Sequence, residues 1–373
     1  MPDSERPGDG ATTVASGLDT PATSPSAEHK TRKRVAFALR LLLSVALLAW
    51  VMTKVDGARV VEILSDVDWL WLALAIAILV LGRVLVAYRW YLLVREHTSH
   101  VSFLNLLRIV VISGFVGAVM PGAVGIELYR MYALGRGTTL ALGVSSVVVE
   151  RLSALIGLVL MVSLGLAWEA IEGSLALPRA VLLATALSIL CVAVVAVFVV
   201  NRSVRRLSLH LVRSVLGARI ADRIESVFAH IDAFHGNRRL LGWMIGLSLV
   251  LQALRVLEVL AMAMALTIRA PIAAFVVIVP IGILVALLPI SVQGLGVREA
   301  LYVTLFGAFG MTAAAAFTLS LFSFLVFFAV LVLPGALLFA LHGGTLAAAG
   351  SPAATPASGG GLRPPGRFSF LRR

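Results

Sequence analysis

Long apolar runs, broken by short polar or basic connectors, recur along most of this chain. They lie at about 35–53, 67–92, 104–120, 138–168, 177–200, 240–267, 271–290 and 311–341. A bilayer-spanning helix needs about 20 apolar residues, and most of these runs approach or exceed that length. The pattern predicts an all-α polytopic membrane protein. Residues 1–34 and 342–373 break it: both are rich in small, polar and Pro/Gly residues without apolar period, and both read as disordered tails. The transmembrane domain is therefore expected over 35–341. Its first run is long, and no clean small-x-small cleavage site follows before Lys54, so it reads as a retained span rather than a signal peptide.

The connectors sort by charge. Lys30, Arg32, Lys33 and Arg34 precede the first run, and Arg363, Arg367, Arg372 and Arg373 end the chain. Basic flanks mark the cytoplasmic side, so both termini are expected there. Residues 54–68 set Lys54 and Arg59 against Asp56, Glu62, Asp66 and Asp68, while 169–178 carries Glu169 and Glu172 and no base. Both connectors are expected outside. Residues 201–239 hold eight arginines against Asp222, Glu225 and Asp232, and are expected inside. Their apolar residues, from Leu207 and Leu211 through Ile231 and Phe234, mostly recur every three or four positions. This predicts an amphipathic helix, or a pair broken near Gly217, lying on the inner leaflet; docking of a soluble partner is the sharper alternative.

Strict alternation of spans leaves one inconsistency. A full crossing at 104–120 would put Arg130 and Arg136 outside. A re-entrant hairpin of 104–120 with about 123–136 returns both to the cytoplasm. The same solution applies at 271–290 with about 296–309, opening from the other side. The predicted fold is thus about six full transmembrane helices plus two re-entrant hairpins in an inverted repeat, with eight plain spans as the alternative. An internal echo favours the hairpins: in each, a proline (Pro121, Pro289) stands nine residues before an arginine (Arg130, Arg298), with glycines between. Repeats of inverted topology with broken helices characterise transporter sites near the bilayer midplane.

Composition agrees. The 373 residues are 60% hydrophobic and 13% charged, against about 45–50% and 25% in soluble domains. This excludes a soluble enzyme, a disordered protein and a nucleic-acid-binding module; the net charge of +12 sits in loops beside spans. The single cysteine, Cys191, lies within an apolar run and forms no intramolecular disulfide.

Charged residues inside apolar segments are costly and by default mark a site. Arg40 and Arg108 lie near segment ends and can snorkel, and Arg83 and Arg89 approach such an end. Arg255 and Glu258, three apart on one helical face, can neutralise each other. The two turns are stronger candidates: Pro121, Gly122, Gly125, Glu127 and Arg130 in one, and Gln293, Gly294, Gly296, Arg298 and Glu299 in the other, with Glu150 and Arg151 opening the next span. Glycines admit close backbone approach, and each restarting helix points free N–H groups and its positive dipole end into the turn. Arginine's planar fork binds phosphate bidentately. The expectation is a cradle for an anionic phosphodiester head group. Glu127, Glu150 and Glu299 would balance the arginines when it is empty, or touch a cationic part of the head group. Arg–Glu pairs that merely lock the hairpins are the alternative.

Enzyme motifs are nearly absent. HExxH, the phosphate-binding GxxxxGK loop and GxSxG do not occur, and no cofactor or metal is implied. His97 with His100, and His230 with His235, lack a convincing set of metal partners. Asp66-Val67-Asp68 matches a glycosyltransferase DxD but lies in a short connector without a nucleotide-binding domain.

Three motifs in order, Pro121-Gly122-x-x-Gly125-x-Glu127-x-x-Arg130, Val149-Glu150-Arg151 and Gln293-Gly294-x-Gly296-Val-Arg298-Glu299-Ala300, resemble the lysylphosphatidylglycerol synthase transmembrane-region family. The resemblance covers about 35–341. It implies a flippase-like integral membrane protein of the kind that forms the N-terminal half of bacterial synthase/flippase enzymes. Where the family often has Gly-Gly-Asp, this chain has Gly125-Ile126-Glu127, which keeps an acid and loses a glycine. About 30 residues follow the last span, so lipid translocation is implied without an aminoacyl-transferase domain.

The leading expectation is a non-enzymatic protein of the bacterial inner membrane. It would move a polar lipid or lipid-linked intermediate between leaflets, downhill or ion-coupled, since no ATP-binding motif is present. A small anionic solute transporter is the second reading. A non-transporting scaffold, partnered with an enzyme of envelope biosynthesis, is the third, and a catalytic membrane transferase the last.

Overall fold

The computed structural model describes residues 42–98, 100–119, 124–172, 186, 190, 201–216, 222, 224, 225, 228, 238–287 and 294–348. Among these there are helices and no strands. In chain order they are α1 (Leu42–Met52), α2 (Gly57–Ser65), α3 (Trp69–Arg95), α4 (Phe103–Val119), α5 (Val124–Gly137), α6 (Leu140–Glu172), α7 (Arg202–Leu216), α8 (Arg238–Ala265), α9 (Ile272–Leu287), α10 (Val297–Gly307), α11 (Ala313–Phe327) and α12 (Leu333–Ala348). A five-residue π-helical turn, Phe328–Val332, joins the last two into one rod. Among the described residues, four rods are long and apolar enough to cross a membrane: Trp69–Arg95, Leu140–Trp168, Arg239–Ala265 and Ala313–Leu341. The run at 177–200, apart from residues 186 and 190, and the break near Gly217 lie outside the described residues.

The connector at 54–68 folds into α2, whose first turn is capped by Asp56 through the Ala58 N–H at 3.0 Å. Asp68 caps α3, accepting from Leu70 N–H at 2.8 Å and Trp71 N–H at 3.3 Å. In the Asp66-Val67-Asp68 triplet Asp66 thus stands at a helix stop and Asp68 caps a helix start, which accounts for the second acid.

The central pair is α3 and α8, which run antiparallel along one another. The Asp68 N–H donates to Ala265 O at 2.8 Å, tying the start of α3 to the end of α8. Twenty-one residues further along α3 and seventeen back along α8, Arg89 reaches Ser248. α4 leaves from the Arg95 end and α5 packs back along it, so that α6 begins at that same end after only Thr138 and Thr139. The second pair is arranged from the other end: α9 starts near the close of α8, α10 packs back along it, and α11 follows. Its glycines 294 and 296 take φ of +78° and +80°, a left-handed conformation that other residues adopt at a cost. At Gly296 a Cβ would lie 2.6 Å from Ser44 O, so α1 seats its backbone on this turn. Gly335 of α12 meets Val111 O of α4 equally closely, at 2.6 Å for the same hypothetical atom.

The main core joins α3, α6, α8, α9, α10 and α11, with Phe306 meeting Phe275 in a tilted contact and Tyr302 edge-to-face, at ring separations of 5.1 and 5.2 Å. Outward faces stay apolar, as lipid contact requires: Leu70, Leu74 and Leu81 of α3 and Leu325, Leu333 and Leu337 of the last rod are exposed. Trp50, Trp69 and Trp168 are exposed too, and such amphipathic rings favour a membrane–water boundary.

Candidate functional site

Between α3, α4, α5, α6, α8, α9, α10 and the last rod lies a cavity of about 400 Å³. Six arginines line it: Arg83, Arg89, Arg130, Arg151, Arg255 and Arg298. Glu150 and Glu258 are the carboxylates on its wall, and the rest is mostly apolar.

One end of the cavity is closed by a buried cluster. Glu150 of α6 takes Arg130 of α5 on Oε2 and Arg89 of α3 on Oε1, the latter at 2.9 Å. All three side chains are 5% exposed. Arg89 also donates to Ser248 Oγ at 2.7 Å, and Ser248 donates onward to Met244 O at 2.6 Å. The Arg130 guanidinium lies over the Trp90 ring, 4.2 Å from its centroid, while the Trp90 N–H donates to Ser146 Oγ at 3.1 Å. Four helices are therefore fastened by one carboxylate. A buried pair stripped of one partner leaves an uncompensated charge, so the cluster holds only as a unit. Beside it, Arg151 pairs with Glu127 in a half-exposed contact between α6 and α5.

The second cluster is built from α10 and α11. Glu299 is fully buried; its Oε2 accepts the Gly296 N–H at 2.6 Å and so closes the first turn of α10. Its Oε1 accepts from Arg298 at 2.7 Å and from Ser320 Oγ at 3.0 Å. Arg298 Nε in turn donates to Ser320 Oγ at 2.9 Å, and its guanidinium lies 5.3 Å from the Phe324 ring centroid. The Arg298 side chain remains 22% exposed, facing the cavity.

Arg255 and Glu258 approach to 3.7 Å along α8, and both line the cavity. Arg83 stands fourteen residues into α3, about 21 Å from its start, with its guanidinium 5.1 Å from the Phe327 ring centroid. Gln252 Oε1 is buried on the wall without a hydrogen-bond partner among the described residues.

The family model for the lysylphosphatidylglycerol synthase TM region matches residues 37–335. The chain belongs to this family. No curated protein and no solved structure matches it.

In this family member the two sequence motifs meet at one cavity: Arg130 and Ile126 reach it from the first, Gly294 and Arg298 from the second, with Glu150 and Arg151 between them. Gly125, Gly294 and Gly296 are buried. Pro121, Gly122, Pro289 and Gln293 lie outside the described residues. Arg89 is where sequence reasoning went astray. Its position near a span end suggested snorkelling, but it turns inward to a carboxylate 61 residues away and is 4% exposed. Arg83 likewise faces the cavity. The one available signal was spacing: Arg83 and Arg89 lie six residues apart in a helix otherwise apolar for over 20 residues.

Proposed function

We propose that this membrane protein moves a polar lipid with an anionic head group between leaflets of the bacterial inner membrane. The head group occupies the arginine-lined cavity and the acyl chains stay in the bilayer. Transport, downhill or ion-coupled, is its role rather than catalysis. The observation that carries this reading is a 400 Å³ cavity bearing six arginines inside a bundle of apolar, lipid-facing helices. Concentrated positive charge at membrane depth is expensive and is retained where it serves a ligand pathway.

In this reading α4 with α5, and α9 with α10, are re-entrant pairs entering from opposite faces, and the two halves form an inverted repeat. Their fold-back packing and the reversed ends from which they leave support it. Both termini and 201–239 face the cytoplasm, while 54–68 and 169–178 face outward. Single-cysteine labelling from each side, in a Cys191→Ser background, tests that orientation; labelling of 201–239 only from outside would invert it.

The functional test is reconstitution. Lipids that co-purify are identified by mass spectrometry, and fluorescent analogues are then followed across proteoliposome membranes. Anionic phospholipids should cross faster than in protein-free vesicles. Equal rates for every anionic lipid tried would overturn the proposal.

A further inference from the structure

Charge within the cavity is not balanced, and the imbalance identifies a ligand class. Six guanidiniums line it. The carboxylates that meet them are four: Glu150 for Arg89 and Arg130, Glu127 for Arg151, Glu258 for Arg255, and Glu299 for Arg298. Arginine stays protonated in proteins, so the formal excess is two positive charges. It has two sources. One is the Arg89–Arg130 couple, which shares a single carboxylate. The other is Arg83, for which no ion pair or hydrogen bond exists among the described residues and whose contact is the Phe327 ring. Both open onto the same space, together with Arg298, whose fork is only partly used by Ser320 and Glu299.

We infer that the preferred ligand carries a doubly negative terminal phosphoryl group, a phosphomonoester or diphosphate, rather than a singly charged phosphodiester. This rests on the lipid reading above and deepens it. A phosphodiester would leave one positive charge without a counter-ion in a low-dielectric site. A dianionic phosphoryl group cancels the excess and offers three oxygens to Arg83, Arg255 and Arg298. Arg83 is the residue that sets this preference, because it forms no ion pair among the described residues and the acid whose field reaches it, Glu258, is already paired with Arg255.

The test compares two lipids with identical oleoyl chains, phosphatidic acid as the monoester and phosphatidylglycerol as the diester. Binding to the full-length protein in nanodiscs is measured at pH 8, with inorganic phosphate as a third probe. The expected result is a preference for phosphatidic acid of about tenfold or more, the scale of one charge-assisted hydrogen bond. Arg83→Gln should reduce that ratio to near one, and Arg83→Lys should keep most of it. Glu258→Gln, which adds to the excess charge, should raise it, so the inference stays testable if Arg83→Gln does not fold. Equal binding of the two lipids by the wild type, or a preference surviving in a folded Arg83→Gln, would overturn the inference and leave the lipid reading standing. Binding of neither lipid would overturn both. Binding of inorganic phosphate as tightly as phosphatidic acid would support the dianion site and refute the lipid as its cargo.

Discussion

Arg130 and Arg298 stand at corresponding places in two similar sequence motifs, yet their surroundings differ. Arg130 is 4% exposed, shares its carboxylate with Arg89, and lies against the Trp90 indole. Arg298 pairs with the carboxylate next to it in sequence and keeps part of its fork toward the cavity. The difference lies in where the acid comes from. Glu150 belongs to another helix, so the Arg130 pair holds helices together. Glu299 belongs to the same helix, binds the Gly296 N–H and shares Ser320 with Arg298, so it orients Arg298 while part of that side chain still faces the cavity. One arginine is fastened; the other faces the cavity.

The strongest way to break this comparison is to remove the shared acid. Glu150→Ala leaves Arg89 and Arg130 buried without a counter-charge, and should cost about 3–5 kcal/mol of stability, read as thermal unfolding in detergent. A fully stable variant would show that the cluster fastens nothing. Next in size is Arg298→Lys, which keeps charge but loses the fork. It should weaken anionic-lipid binding by one to two orders of magnitude, about 1.5–3 kcal/mol, with little loss of thermal stability. Arg130→Lys should show the opposite division, losing stability first. A stable Arg298→Ala with unchanged translocation would end the role assigned to Arg298. Third, Gly296→Ala forces a side chain into a left-handed backbone against α1, and should destabilise by about 1–3 kcal/mol. The smallest effect sets the baseline: Arg59→Ala removes an exposed pair with Glu62 at 2.5 Å and should change stability by less than about 1 kcal/mol.

Much of this was legible in the chain before folding. Apolar runs give the four long rods because spanning length is a local, one-dimensional property. The Pro–Gly turns before Arg130 and Arg298 mark where helices restart, and α5 and α10 begin at 124 and 297. What could not be read is which acid each arginine meets. Arg255 and Glu258 are three apart on one helix, and periodicity alone brings them together. Arg89 and Glu150 are joined only by the packing of α3 against α6, and no local rule contains that distance. The amphipathic pattern after residue 201 gives α7 over Arg202–Leu216 for the same local reason.

The π-helical turn in the last rod sets a phase. Leu333 N–H donates to Phe328 O, five residues back, where an α-helix would use the residue four back. Pro334, directly after it, has no N–H to give to Val330 O, so an α-helical turn would lose a bond here. One residue inserted in this way rotates everything downstream by about 100°. Upstream, Ser320, Phe324 and Phe327 look into the cavity; downstream, Gly335 rests on Val111 and Phe115 of α4. The turn lets a single rod present one face to the cavity and another to α4. Deleting one residue between Phe328 and Val332 would swing Gly335 off α4 while leaving Ser320 in place.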